Sequence, residues 1–79
     1  MAVLDIMQTA KRLGRRIRAL REVCGLTQTE LGAAAGGVHK QAVAGWESGR
    51  SLPTADKLPL IAAALGVDMA DLFEPRKAA

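Results

Sequence analysis

Three side chains of this sequence have the chemistry for metal binding, nucleophilic attack or acid–base work: Cys24, His39 and Glu47. None has a companion. One histidine and one cysteine fall short of the four ligands of a structural zinc site, so no metal is expected. Glu47 has no second acid and no nucleophile at useful spacing, so no enzyme activity and no cofactor are expected. Cys24 is the single cysteine, which excludes an intrachain disulfide. It reads as a small core residue of a protein in a reducing compartment. What remains is recognition chemistry. Lys40 and Gln41 stand side by side within GGVHKQAVAGWESGR, residues 36–50, and offer directional hydrogen bonds. Upstream, Lys11, Arg12, Arg15, Arg16, Arg18 and Arg21 fall within eleven residues with no acid among them. A local basic surface suits a polyanion, and a solvated helix face is the plain alternative. Arg12, Arg15, Arg16 and Arg18 spread around one helix, so at most one or two of these four can face a phosphate.

Positioning such residues needs a scaffold, and 79 residues suffice for one domain. A hydrophobic content of 49% makes the chain globular rather than disordered. Ala, Leu and Arg abound, and Trp46 and Phe73 are the only aromatics, a mix that favours helix over sheet. Residues 1–8 read as a lead-in, 9–75 as the domain and 76–79 as a tail. A first helix from about Thr9 carries Leu13, Ile17, Leu20 and Cys24 on one face, with Gly25 as its left-handed cap. Thr27 and Glu30 form a capping box for a second helix over 28–35, with Leu31, Ala34 and Ala35 inward. Gly32 permits close approach of another helix, and Gly36-Gly37 breaks the chain direction. A third helix over 39–47 buries Ala42, Val43 and Trp46 and presents Lys40, Gln41, Ala44 and Gly45 on its other side. A fourth starts near Thr54 or Asp56; with Asp56 as N-cap, Pro59 falls at the third helical position. Leu58, Ile61, Ala62 and Leu65 form its buried stripe, and Gly66 caps it. Asp68 opens a fifth helix with Asp71 in the first turn, Leu72 and Phe73 close the core, and Pro75 ends the fold. The N-terminus lacks the basic-then-apolar order of a secretory signal, and no apolar run approaches the roughly 20 residues of a membrane span. A cytoplasmic protein without a membrane partner is expected.

Helix, tight turn and short helix together make a helix-turn-helix, whose second helix enters the DNA major groove. Here LGRRIRALREVCGLTQTELGAAAG, VHKQAVAGWESGR and IAAALGVDMADLF resemble the lambda-repressor and Cro-like helix-turn-helix family (the XRE family). The resemblance covers about Leu13 to Glu74, and G-L-T-Q-x-E-L, W-E-x-G-R and A-L-G-V are its most specific parts. It implies an all-α, compact five-helix domain whose partner is double-stranded DNA. Lys40, Gln41, Ala44 and Gly45 match base-reading positions. Gln28, His39, Gly49 and Arg50 match phosphate positions, Gln28 also as a buttress of the reading helix and Gly49-Arg50 through turn N–H groups and a basic side chain. Arg21 and Glu47 match a pair that joins the first helix to the third by a salt bridge. The chemistry suits these roles, since Gln pairs bidentately with adenine, Lys donates to guanine and an Ala methyl meets thymine. There are two departures from the family pattern: one extra residue at Gly36-Gly37, and Gly45, which leaves a reading position blank.

The function implied is a sequence-specific transcriptional regulator, a repressor acting as a homodimer on a two-fold symmetric operator in the nucleoid. Its dimer surface is expected around Leu52-Pro53 and Leu72 to Pro75. An antitoxin that also binds a toxin protein, and a restriction–modification controller, fit the same sequence. From another class, so does a protein-interaction adaptor that keeps the fold without base readout, a reading favoured by Ala44 and Gly45.

Overall fold

A computed structural model describes the backbone of residues 3–73 and the side chains of residues 7–73. Five helices follow in order: α1 Val3–Val23, α2 Gln28–Ala34, α3 Lys40–Ser48, α4 Leu58–Leu65 and α5 Met69–Phe73. There is no strand among the described residues, and the all-α reading holds. Met1, Pro75 and the expected tail lie outside the described residues.

The first correction concerns α1, which starts at Val3 and not near Thr9. Residues 3–8 contain neither glycine nor proline, so nothing in them stops a helix that packing has already nucleated downstream. At its other end Gly25 adopts φ +72°. The Gly25 N–H donates to Glu22 O at 3.0 Å and the Leu26 N–H to Arg21 O at 3.1 Å. That two-bond left-handed cap satisfies carbonyls the helix end would leave open. At the start of α2 the Glu30 N–H donates to Thr27 Oγ1 at 3.1 Å while the Thr27 N–H donates to Glu30 Oε1 at 2.9 Å.

Leu13, Ile17, Leu31, Ala35, Val43, Trp46, Ile61, Ala62, Leu65 and Leu72 form one buried cluster fed by every helix. Each large side chain in it contributes roughly 1.5–3 kcal/mol of burial. Three residues expected inside lie elsewhere. Ala34 is exposed, because the short α2 turns only Leu31, Gly32 and Ala35 inward. Cys24 is exposed, because α1 has ended at Val23; its thiol donates to Leu65 O at 3.6 Å. Phe73 keeps 40% of its surface in water, Leu72 alone closing the core from α5.

The start of α4 also differs. Asp56 is not its N-cap: the helix opens at Leu58, with Lys57 at the cap position and Pro59 in the first turn. Asp56 instead accepts the Thr54 hydroxyl at 2.5 Å, within a turn closed by Lys57 N–H to Thr54 O at 2.9 Å. That local hydrogen bond competes with capping and delays the helix.

Two glycines set the spacing of the elements. At Gly32 a Cβ would overlap the Val38 carbonyl oxygen and stand 3.4 Å from Val43 Cγ2, so α2 closes on the turn before α3 as well as on α3 itself. At Gly14 a Cβ would overlap the Trp46 carbonyl oxygen and stand 2.8 Å from Glu47 O. The backbones of α1 and α3 therefore meet at Gly14. A glycine inside a helix weakens it, so an interior glycine is itself a sign of close approach.

Candidate nucleic-acid interface

His39 opens α3 from extended backbone, with ψ 150°. Its Nδ1 accepts the Gln41 N–H at 3.1 Å, satisfying one of the helix's open donors. With Nδ1 engaged in the cap, Nε2 is the ring nitrogen left for other contacts. Lys40 and Gln41 follow, both exposed. On the same side one and two turns later come Ala44, half-buried, and Ser48, exposed. The outward stripe of α3 is thus Lys40, Gln41, Ala44 and Ser48.

Gly45 does not belong to it. This residue is buried, and a Cβ there would stand 2.8 Å from Ser51 Oγ. Its carbonyl accepts the Arg50 N–H at 3.1 Å, the Ser51 N–H at 3.3 Å and the Ser48 hydroxyl at 3.2 Å. The position supports the turn after α3 and does not look outward. Ser48 takes its place in the stripe; its spacing of seven from Gln41 was the signal in the sequence.

The same turn brings a second correction. Gly49 (φ +79°) ends α3, and its N–H donates to Trp46 O at 3.2 Å. The N–H groups of Gly49, Arg50 and Ser51 are all committed to capping α3 and are not available to a phosphate. The Arg50 side chain is exposed and remains; its Nε donates to Ser48 Oγ at 3.1 Å, which leaves the two Nη groups outward.

Behind the stripe sits a polar cluster that fixes α3. Arg21 Nε meets Glu47 Oε2 at 2.6 Å and Nη2 meets Oε1 at 3.1 Å. Arg21 Nη1 also donates to Leu26 O at 2.8 Å. Gln28 Nε2 donates to Glu47 Oε1 at 3.2 Å. One carboxylate, 9% exposed, thereby ties α3 to the end of α1, the following turn and the start of α2. The hydrogen bond to Glu47 raises the Arg21 pKa, burial opposing it. Gln28 is a buttress in this structure; its second amide hydrogen and its backbone N–H, at the first position of α2, remain as donors.

The arginines of α1 divide by task. Arg16 Nε donates to Asp71 O at 2.9 Å and holds α5. Arg18 pairs with Glu22 at 3.6 Å, with both side chains more than half exposed. An open depression of about 490 Å³, lined by Thr29, Ala33, Val38, His39 and Lys40, continues the outward face from α3 to α2. No cluster of potential metal ligands occurs among the described residues.

A tight turn between α2 and α3, with one face of α3 anchored and the other outward, is helix-turn-helix geometry. The family model described as HTH_3, helix-turn-helix, matches residues 17–72. The chain belongs to this helix-turn-helix family. Within it the fold is lambda-repressor-like. The P22 c2 repressor, solved in complex with a synthetic operator, is 30% identical over 81% of this chain and 96% of its own, with a TM-score of 0.75. The restriction–modification controller C.AhdI from Aeromonas hydrophila is also 30% identical, over 81% of this chain and 96% of its own, at 0.76. The clp gene regulator ClgR from C. glutamicum is 30% identical over 81% of this chain and 82% of its own, at 0.73. No curated protein sequence matches the chain. Family and fold are those of DNA-binding transcriptional regulators. No helix of the described residues is long and apolar enough to cross a membrane.

Proposed function

We propose that this chain is a sequence-specific transcriptional repressor that lays α3 in the major groove of double-stranded DNA. The observation that carries the reading is the outward stripe of α3. Its inner side is fixed by Glu47, Arg21 and Gln28 and by backbone contact at Gly14, while Lys40 and Gln41 are left exposed. Pre-positioned side chains of these types are what base readout needs, Gln for adenine and Lys for guanine. Ala44 supplies a methyl for thymine. His39 Nε2, the Gln28 donors and the Arg50 guanidinium flank the stripe as phosphate contacts. The similarity to a repressor solved with its operator supports the same assignment.

A single module buries only about 600–1,000 Å² against DNA, so the regulator works as a homodimer on a two-fold symmetric operator. Leu52, Leu60, Met69 and Phe73, each 40–45% exposed, supply apolar surface for the second copy. Half-sites then lie about 34–36 Å apart. Its place of action is the nucleoid in the cytoplasm. The second reading, a restriction–modification controller, is favoured by the likeness to C.AhdI along nearly that protein's whole length.

The test begins with an operator selected from random duplexes by the wild-type protein. Lys40→Ala with Gln41→Ala should lower affinity for it by about 1–3 kcal/mol for each bidentate base pairing that the substitutions abolish. Unchanged affinity, with circular dichroism showing an intact fold, rejects base readout by Lys40 and Gln41, whereas a wild type that selects no operator leaves the adaptor. Transcription in vitro from a promoter carrying the operator then reads the sign of regulation, a fall on adding protein being the expected result.

A further inference from the structure

Lys11 and Arg15 are exposed, and neither has an acid partner among the described residues. Their placement is set by α3. Gly49, at the end of α3, lies directly on Lys11: a Cβ there would stand 3.0 Å from Lys11 Cγ and 3.2 Å from its Cα. Lys11 and Arg15 line one polar recess with Glu47 and Ser48, of about 350 Å³. Arg18 lines a second, of about 310 Å³, with Gln28, Ala44 and Ser48. Both recesses open beside Ser48, the last residue of the outward stripe. The one acid lining them, Glu47, is already engaged by Arg21 and Gln28. Arg16, farther round α1, is bonded to α5. Within the basic segment of α1, Arg16 and Arg21 hold the fold, while Lys11, Arg15 and Arg18 border the stripe.

We propose that Lys11 and Arg15, continued by Arg18, form a phosphate rail along α1 that holds one DNA strand beside the C-terminal end of α3. This rests on the DNA-binding reading above. From Lys11 to Arg18 the rail rises about 10 Å along the helix axis, enough to meet successive phosphates of one strand. It supplies affinity and orientation without reading sequence, which phosphate contacts do in general. It also extends the contact surface to a third helix.

The experiment compares wild type, Lys11→Gln with Arg15→Gln, and the charge-retaining Lys11→Arg with Arg15→Lys. Each is titrated against the selected operator and an unrelated duplex of equal length, between about 50 and 200 mM salt. All the substituted side chains are exposed, and thermal melts verify the fold. The glutamine pair should make the slope of log affinity against log salt shallower by about 1.8, some 0.9 for each phosphate released. Wild type's advantage over it then shrinks about twelvefold across that salt range. Preference for the operator should stay unchanged, and the charge-retaining pair should keep the wild-type slope. A glutamine pair with the wild-type slope overturns the rail, as does one that loses operator preference. A wild-type protein that binds neither duplex in a salt-dependent way overturns the functional reading instead.

Discussion

Arg21 and Glu47 stand 26 positions apart and meet at 2.6 Å with their side chains only 13% and 4% exposed. The guanidinium grips both carboxylate oxygens, and the pair locks the end of α1 to the last turns of α3. Removing one partner strands the other. Arg21→Ala should destabilise the domain by about 3 kcal/mol, the low end for a buried pair because Arg21 retains some contact with water. Glu47→Ala should cost a similar amount, and the double variant less than the sum, since the two residues share one interaction. Urea unfolding of the four proteins measures this; additive losses would show that the pair is not coupled.

Gly14 and Gly45 should respond oppositely to alanine. In an exposed helix interior, Gly→Ala gains about 1 kcal/mol. At Gly14 the new methyl meets carbonyl oxygens of α3 that cannot retreat without separating the helices. Gly14→Ala should therefore destabilise, by about 1–3 kcal/mol as for overpacked cores. At Gly45 the obstacle is the Ser51 hydroxyl, the end of a small exposed side chain that can rotate away. Gly45→Ala should be neutral or mildly stabilising. Thermal melts of the two variants decide, and an equal loss at both sites would contradict the geometry.

Acid should weaken the fold through two exposed carboxylates at turns. Hydrogen bonds from Thr27 hold the Glu30 carboxyl below its ordinary 4.5, and the Thr54 hydroxyl holds Asp56 below its ordinary 3.8. Both folded pKa values are depressed, so the unfolded chain binds more protons in this range. Their stabilisation is complete above the ordinary carboxylate pKa values and is lost as pH falls through the depressed ones. Melting temperature should rise with pH from about 3 and level off above about 5. Thr27→Ala should flatten only the smaller part of that rise, because the Thr27 backbone N–H that donates to Glu30 survives the substitution and only the hydroxyl is lost. The raised pKa of Arg21 acts only in strong base, outside this window.

What the sequence by itself determined was local. The capping box at Thr27 and Glu30, the capping glycines at 25 and 66 and the buried faces carrying Ile17, Leu31, Val43, Trp46 and Ile61 follow from residue type and spacing. Family motifs added the Arg21–Glu47 pairing. The exceptions arise where a distant group competes for a position. Gly45 satisfies every local criterion for an outward residue, yet Ser51 covers it because the turn folds back onto α3. The N–H groups after α3 belong to its cap and not to a ligand, a choice made by the left-handed Gly49 and the carbonyls it reaches. At Gly14 the partner is α3, which only the packing names. The basic run in α1 has no visible division until α3 and α5 claim different members of it. Spacing along a chain assigns a residue to a face of its own helix; only packing decides what that face meets.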